Sequence, residues 1–478
     1  MPYKRKGADS KDGVYTSARV EASRLIGSMP EKGTRIYEQR YGREANRRLA
    51  DGKKNKDDLA ILADVVGRYR HTLAGREALE LLVSQQKSAS VTPEDSSSWP
   101  MFGGNAARSA QAKGGTPLLK SKWSQGMHVH FWGVGNGPTL AEQWVNDAVK
   151  VYENRHIPIL PAFYPIAATI QKDGKALPLV IYRSYYGIHA VNAWNGKLYW
   201  EADSTLSIDS VVRDPQKGSN MGKWVATYGG TTSNPLLENS TLGTLSTDNA
   251  YVYLVDDLAV PPHPNFMMQM QLNGLRMNFG SLDEYVRSNR LQAFELNSGK
   301  IEWELGGRGV DSGELGDSYF LGPPLPLDGR LYALNEKNGE IRLICLDPAK
   351  NWNQGENPIV WKQKLGTVRD QLLTDASRRV QAVNISYSDG ILVCPTNTGT
   401  IMGFDLRTRS LIWAYSYRKT PAAESNDNQM QRMTNRRGGM DAAKKQQFPS
   451  GYAVSAPAFR RAMWSLRRRI AMSSTASG

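Results

Sequence analysis

The hydrophobic pattern of the chain changes its period once, near residue 98. Residues 1–34 are polar and show no period, which predicts disorder. Leu59, Leu62, Val66 and Tyr69 then recur at helical spacing, and a second helical pattern begins at residue 75. The sequence therefore predicts a helical hairpin over residues 35–86, followed by a polar linker over 87–98.

From Trp99 onward, apolar and polar residues alternate as they do in β-strands, and one pattern repeats. A small residue, a turn and a tryptophan follow one another four times. Two copies read A-x-x-x-x-x-G-K-x-x-W, a third has a longer turn, and in the fourth Arg409 replaces the glycine. The residues that define the four copies are Ala190, Gly196 and Trp200; Ala293, Gly299 and Trp303; Cys345 and Trp361; and Gly403 and Trp413.

The repeat has a physical explanation as a packing element. The turn needs glycine where the backbone φ is positive. An indole is a large apolar plate, and it can lie flat on a neighbouring hairpin where that hairpin carries a small side chain. We therefore predict that each tryptophan docks over the small residue of the adjacent copy, in a structural role. Arg409 is expected to distort the turn of its copy.

Further apolar runs precede each copy, so that every unit is a four-stranded antiparallel sheet, and radial packing of such sheets is a β-propeller. Four units are complete, and a fifth begins with "GYAVSAPAF" at 451–459. The sequence thus predicts a mainly β fold: an incomplete propeller of four to five blades over 99–459, preceded by the helical hairpin. Residues 460–478 are a basic tail. One out-of-frame reading of 462–477 gives a strand, an acidic turn and a strand, so our hypothesis for the shortened last blade is a frameshift.

The repeat resembles the tryptophan-docking motif of propellers named after pyrroloquinoline quinone (PQQ). "WPMFGGNAARSA" at 99–110 also resembles the segment that opens such propellers. The chain is most similar to bacterial PQQ-like repeat proteins related to BamB, an outer-membrane assembly lipoprotein, in the Planctomycetes form with tetratricopeptide-like helices ahead of the propeller. The resemblance implies a quinoprotein alcohol dehydrogenase-like fold, protein partners in the cell envelope, and a periplasmic location. The first residues contain no signal peptide, and the longest apolar stretch, at 59–67, is too short to span a bilayer. The sequence therefore leaves the localisation open.

A PQQ-dependent dehydrogenase is the alternative that the resemblance implies. Those enzymes hold the quinone between a tryptophan and a disulfide of adjacent cysteines, and add calcium and an aspartate base. This chain has only Cys345 and Cys394, each inside an apolar, strand-like run, and no stretch reproduces the calcium ligands. No cofactor is predicted; PQQ with calcium belongs to the alternative alone.

Other candidate chemistry in the sequence is sparse. "MHVHFW" places His128 and His130 on one face of a strand, where two imidazoles can chelate a metal. No third ligand stands nearby, so a metal site is not predicted. The insertion at 258–289 holds methionines that suit either a partner surface or a small core, namely Met267, Met268, Met270 and Met277.

The charge of the chain is clearly basic. Lys and Arg number 60 against 46 Asp and Glu, a formal net charge of +14. Much of this excess lies near the C-terminus, which indicates loops and a tail and does not predict nucleic-acid binding. The prediction from the sequence is a non-catalytic propeller scaffold that binds other proteins, among them components of outer-membrane assembly. A PQQ dehydrogenase remnant and a truncated product without function are the alternatives.

Overall fold

The computed structural model describes residues 2–3, 14–54, 59–87, 98–111, 121–126, 139–159, 162–229, 231, 233–267, 278–350, 355–368 and 371–417. Within these ranges the fold is mainly β, with helices before and between the sheets. No helix in the described part of the chain combines the length and the apolarity that a bilayer span requires. The predicted strand at 451–459, the tail at 460–478, most of the predicted linker, His128, His130, Met268, Met270 and Met277 lie outside the described residues.

Four antiparallel sheets follow one another along the chain. Their strands lie in chain order, except that two strands of the third sheet pair with the same neighbour and that two N-terminal strands, Val14–Ser17 and Pro2–Tyr3, extend the fourth sheet beyond its last strand. Blade 1 comprises β3 (Ile166–Lys172), β4 (Lys175–Arg183), β5 (Gly187–Asn192) and β6 (Leu198–Asp203); blade 2 comprises β7 (Leu245–Thr247), β8 (Tyr251–Asp256), β9 (Arg290–Glu295) and β10 (Ile301–Gly306). Blade 3 comprises β11 (Tyr319–Phe320), β12 (Leu325–Leu327), β13 (Arg330–Lys337), β14 (Glu340–Leu346) and β15 (Ile359–Thr367); blade 4 comprises β16 (Ser386–Ser388), β17 (Ile391–Pro395), β18 (Thr400–Asp405) and β19 (Ser410–Ser416). The described sheets do not close into a ring, and the predicted fold, a mainly β chain that forms an incomplete propeller, is confirmed.

The apolar cores of the propeller lie between consecutive blades. Strand β8 shows why, because successive side chains of a strand point to opposite faces. Val252 and Leu254 pack in the core shared with blade 1, whereas Tyr253 and Val255 pack in the core shared with blade 3. A third core joins blades 3 and 4. Burial on both faces thus fixes the stacking order of the sheets.

The segment at 99–110, the hub segment, runs across the innermost strands. Trp99 pairs with Ala167 of β3, and Met101 pairs with Ser246 of β7. On blade 4, the Tyr387 N–H donates to the carbonyl oxygen of Ala106. The hub segment therefore ties together the inner strands of three blades.

The N-terminal region is more helical than the sequence predicts. Helices α1 (Ala18–Gly27), α2 (Glu31–Lys54), α3 (Leu59–Tyr69) and α4 (Leu73–Lys87) occupy it, with the short strands β1 (Pro2–Tyr3) and β2 (Val14–Ser17) ahead of them. The expected disorder over 1–34 is wrong for residues 2–3 and 14–34, and α2 adds a third long helix to the predicted hairpin. The buried face of α2 was hard to recognise because it is built from Gly42, Ala45, Leu49 and Gly52, mostly small residues without a strong apolar signal.

A second group of helices covers one end of the blades. Its members are α5 (Leu140–Asn154), α6 (Ile208–Arg213), α7 (Pro215–Tyr228), α8 (Pro235–Glu238), α9 (Ser240–Gly243) and α10 (Asp283–Arg287). Apart from α5, they occupy the connections after β6 and β8, and their apolar faces share one core around Trp224 and Tyr228. Met267 is buried in the same core. We call this group the helical cap, and the end of the blades that it covers the loop face.

Candidate functional site

The repeated tryptophan makes the clearest contact between blades. Trp200 of blade 1 donates its indole N–H to the carbonyl oxygen of Leu296 in blade 2, at 2.8 Å. Gly299, in the β9–β10 turn, has a φ of 70°, and a Cβ there would lie 2.5 Å from the Trp200 ring. Only glycine therefore lets the turn approach the indole this closely.

The small residue of each copy has a different role from the predicted one. It lies directly across the sheet from the tryptophan of its own blade; the pairs are Ala190–Trp200, Ala293–Trp303, Cys345–Trp361 and Gly403–Trp413. A Cβ at Gly403 would overlap the Trp413 indole. The prediction that this residue receives the indole of an adjacent copy is wrong: opposite Cβ atoms in a sheet are only about 5 Å apart, so the space serves the blade's own indole. The turn glycine is the residue that meets the neighbour's indole.

Arg409 preserves the turn in which it replaces glycine. Its φ of 49° stays in the left-handed region, and its guanidinium lies 5.6 Å from the centre of the Trp361 ring. Asp405 Oδ1 accepts hydrogen bonds from two backbone N–H groups of the same turn. The expected distortion is therefore wrong, because a cation–π contact takes the place of the glycine contact.

Trp123 is a docking residue that we did not predict. Its indole N–H donates to the carbonyl oxygen of Ala193 at 3.0 Å, and a Cβ at Gly196 would lie 2.8 Å from its ring. Trp123 thus contacts the β5–β6 turn of blade 1 in the same way as Trp200 contacts the β9–β10 turn of blade 2. The available signal was K-x-x-W, which recurs as Lys120 to Trp123.

Buried ion pairs occupy the loop face. Arg183 pairs with Asp256 at the ends of β4 and β8, at 2.5 Å. Two further arginines come from α11 (Ala376–Arg379), in the connection before blade 4: Arg378 pairs with Glu336 of blade 3 at 2.6 Å, and Arg379 with Asp257 of blade 2 at 2.5 Å. Arg379 also donates to the carbonyl oxygens of Tyr285 and Val286 near the cap. The pairs therefore hold blades and cap together.

These carboxylates are already occupied by protein donors. Asp257 accepts from Asn289 Nδ2 and from the Leu258 N–H as well as from Arg379. Glu336 accepts from the Leu372 N–H in addition to its arginine. Binding a cation would therefore require breaking hydrogen bonds that stabilise the fold.

The donor set does not fit a PQQ–calcium site. Cys345 and Cys394 are both buried and free, on different blades. Burial raises the pKa of the Cys345 thiol to about 11 and that of Cys394 to about 12. Among the described residues, no three His, Cys, Asp or Glu side chains are grouped so that they could hold a metal ion.

The arrangement nearest to a catalytic one lies in blade 1. Ser184 Oγ is 2.6 Å from His189 Nε2, and His189 Nδ1 is 3.7 Å from Glu201 Oε1. This is the order of nucleophile, base and carboxylate in serine hydrolases. However, Ser184 Oγ also accepts from the N–H groups of Tyr186 and Gly187, and Ser184 is only 6% exposed. Its hydroxyl thus closes the β4–β5 turn and does not face a substrate.

A polar cleft of about 210 Å³ lies beside the ion pairs. Its lining comprises Arg287, Arg308, Asp317, Tyr319, Glu336, Asn338, Gly339, Gln371 and Leu373. Arg287 and Arg308 both bond Asp283. The arginines that line the cleft therefore already have a carboxylate partner. The cleft has room for a few water molecules or a very small ligand.

Comparison with known proteins gives structural likeness alone. No family model matches the chain, and no curated protein matches it. Among solved structures, BamB from Moraxella catarrhalis is 13% identical, with a TM-score of 0.23 over 52% of this chain and 48% of its own. The quinohemoprotein alcohol dehydrogenase ADHIIG from Pseudomonas putida HK5 is 12% identical, with a TM-score of 0.27 over 53% of this chain and 33% of its own. That from Comamonas testosteroni is 9% identical, with a TM-score of 0.29 over 70% of this chain and 44% of its own.

The chain thus spans a third to a half of the length of these solved structures. The class of the protein follows from its own repeats and sheets: it has the fold of an incomplete β-propeller built from four antiparallel blades. Its repeated motif is a contact between blades, built from an indole and a turn with positive φ.

Proposed function

We propose that the protein is a non-catalytic propeller scaffold that binds other proteins, in the assembly of the cell envelope or of outer-membrane proteins. The observation that carries the first part is the internal use of the polar groups on the loop face. The buried carboxylates there bond arginines and backbone N–H groups of this chain. The resemblance of the repeats to those of BamB-related proteins is the reason for naming envelope assembly.

Exposed apolar side chains support the binding of proteins. Ten large hydrophobic residues are exposed in the described part of the chain. Four of them lie on the N-terminal helices, Leu25, Ile36, Tyr41 and Leu73, and a fifth, Met29, lies in the connection between α1 and α2. These helices are a small share of the chain, so apolar exposure is concentrated there. Concentrated apolar exposure is typical of protein contact surfaces.

Photo-crosslinking tests the scaffold role. A photoreactive residue at Leu25 or Leu73, which are 52% and 68% exposed, should crosslink a defined protein from an envelope extract of the source organism. The matched control is Val360 on β15, apolar and 46% exposed but far from the helices in the sequence. Equal crosslinking from all three positions would contradict a specific contact surface.

The catalytic alternative needs its own assay. The protein is incubated with PQQ and Ca²⁺, and reduction of an artificial electron acceptor is followed with a panel of alcohols. We expect no reduction above the rate with free PQQ. Quinone-dependent turnover would refute the non-catalytic role and would favour a dehydrogenase.

A further inference from the structure

One buried arginine differs from the others in the charge around it. Arg183, Arg342, Arg378 and Arg379 each have a carboxylate within 4 Å. Arg108, in the hub segment, is 8% exposed and has no such partner among the described residues. Its positive charge is therefore not balanced by the residues that the structure describes.

Among the described residues, two of the three guanidinium nitrogens of Arg108 have a hydrogen-bond acceptor and the third has none. Nε donates to the carbonyl oxygen of Ile385 at 2.9 Å, and Nη1 donates to that of Phe102 at 2.7 Å. Nη2 is buried and has no acceptor within the described ranges. Ser386, the next residue after Ile385 and the first of β16, is also buried, and its hydroxyl likewise has no partner there. Two buried donors are thus unsatisfied at the hub, and Ser386 is adjacent in sequence to Ile385, whose carbonyl oxygen accepts from Arg108.

The chemistry of the guanidinium limits how the charge of Arg108 can be balanced and how its third nitrogen can be satisfied. Burial lowers the pKa of Arg108 to about 9, because the charged form loses its hydration. Arginine nevertheless keeps its proton in proteins, since its intrinsic basicity is so high. Carbonyl oxygens satisfy two of its nitrogens without supplying a charge. A counter-ion would satisfy the third nitrogen and balance the charge together.

We propose that the hub binds one small anion of single charge, such as chloride or formate, held by Arg108 Nη2 and Ser386 Oγ. One charge is enough, because one guanidinium is uncompensated. The ion has to be small, because both donor atoms are fully covered by the surrounding chain. Since Arg108 joins the hub segment to β16, the anion acts as a structural ligand that fastens blade 4 to the hub.

Thermal unfolding of the full chain at constant ionic strength and pH tests the proposal, with gluconate replaced stepwise by chloride, formate or sulfate. Above the dissociation constant, each tenfold rise in the free concentration of an anion that binds should raise the folding equilibrium constant about tenfold. We expect this for chloride or formate and a smaller effect for sulfate, which is larger and doubly charged. Arg108→Gln should abolish the dependence. The control Arg183→Gln, which removes a paired arginine, should lower the stability but keep the dependence.

Two results would overturn the proposal. One is a melting temperature of the unchanged protein that is the same in all four anions, which would mean that water satisfies the hub donors. The other is an equal anion dependence in Arg108→Gln, which would place the effect on the surface. If Arg108→Gln does not fold, Ser386→Ala decides: it keeps the charge, and its chloride or formate titration should shift severalfold to higher concentration, whereas an unchanged midpoint refutes the site.

Discussion

Two glycines in hairpin turns allow the tryptophan contact to be measured. Gly299 and Gly174 have nearly the same backbone, with φ of 70° and 72°. They differ in what lies over them: a Cβ at Gly299 would lie 2.5 Å from the Trp200 ring, and a Cβ at Gly174 would have nothing within 4 Å. Alanine at either position thus has the same backbone strain, and only one of the two disturbs the docking.

The expected magnitudes follow from this difference. An alanine in the left-handed region costs about 1–2 kcal/mol, which is the full effect expected for Gly174→Ala. At Gly299 the new methyl group must also displace the indole and weaken its bond to Leu296, and overpacking of this kind costs about 1–3 kcal/mol more. Gly299→Ala should therefore lower the free energy of unfolding by about 2–5 kcal/mol.

Urea unfolding measures the free energy of unfolding of both glycine variants. Repeating Gly299→Ala in a protein that also carries Trp200→Leu gives the coupling energy between positions 299 and 200. With leucine at position 200 the extra cost of Gly299→Ala should disappear, because the smaller side chain leaves room for the methyl group. The coupling energy should then equal the difference between the two glycine variants, about 1–3 kcal/mol. If Gly299→Ala and Gly174→Ala have the same effect, the indole does not rest on the turn and the explanation of the repeat is refuted.

Three further predictions concern the polar residues and the thiols. Arg379→Gln leaves the buried Asp257 carboxylate without its cation and should cost about 3–5 kcal/mol in urea unfolding; the double variant with Asp257→Asn should regain part of this loss, and a double variant no more stable than Arg379→Gln would contradict the pairing. Ser184 should resist a fluorophosphonate probe in the native protein, as Ser184→Ala does, and labelling confined to the unaltered protein would show a nucleophile after all. Burial raises the pKa of Cys394 to about 12, above its ordinary value of 9.0, so the folded state keeps a proton that the unfolded state releases. This contribution to stability is complete below pH 9 and is lost as the pH rises towards 12, and urea titrations at pH 8 and pH 10 should show a smaller loss for Cys394→Ala than for the unaltered protein.

The sequence predicts the propeller well because its signals are local. The turn glycine and the tryptophan of one copy lie four residues apart, as Gly299 and Trp303 do, and tryptophan is rare enough, at 12 of 478 residues, for its recurrence to be noticed. The pairs of residues that lie opposite each other on neighbouring strands are harder to predict from the sequence. A β-bulge near the turn shifts the register, and it sets Ala293 opposite Trp303. Periodicity within one strand gives the face of a residue but not its partner on the next strand. This is why the predicted partner of the small residue, the indole of an adjacent copy, is wrong.

The loop face shows a different limit. Arg379 and Asp257 are separated by 122 positions, and nothing in either local sequence points to the other. The same holds for Arg108 and Ile385, which meet only because the hub segment crosses the inner strand of blade 4. One cap helix has a signal in the sequence that the predictions above do not use: Met221, Trp224 and Tyr228 recur at helical spacing in the connection after β6.

The contact between an indole and a turn occurs more widely than the sequence repeat by which it is recognised. Trp200 rests on a glycine turn, Trp361 lies under the guanidinium of Arg409, and Trp123 rests on the Gly196 turn without a described sheet of its own. What these cases share is a turn residue with positive φ against an indole. In the two glycine cases, a backbone carbonyl also accepts the indole N–H. Such a contact depends on the shape of the turn and hardly on its sequence, so blades can differ in their loops while still stacking. Residues outside the docking turns are therefore free to vary, including the exposed apolar residues of the N-terminal helices that we propose to bind other proteins.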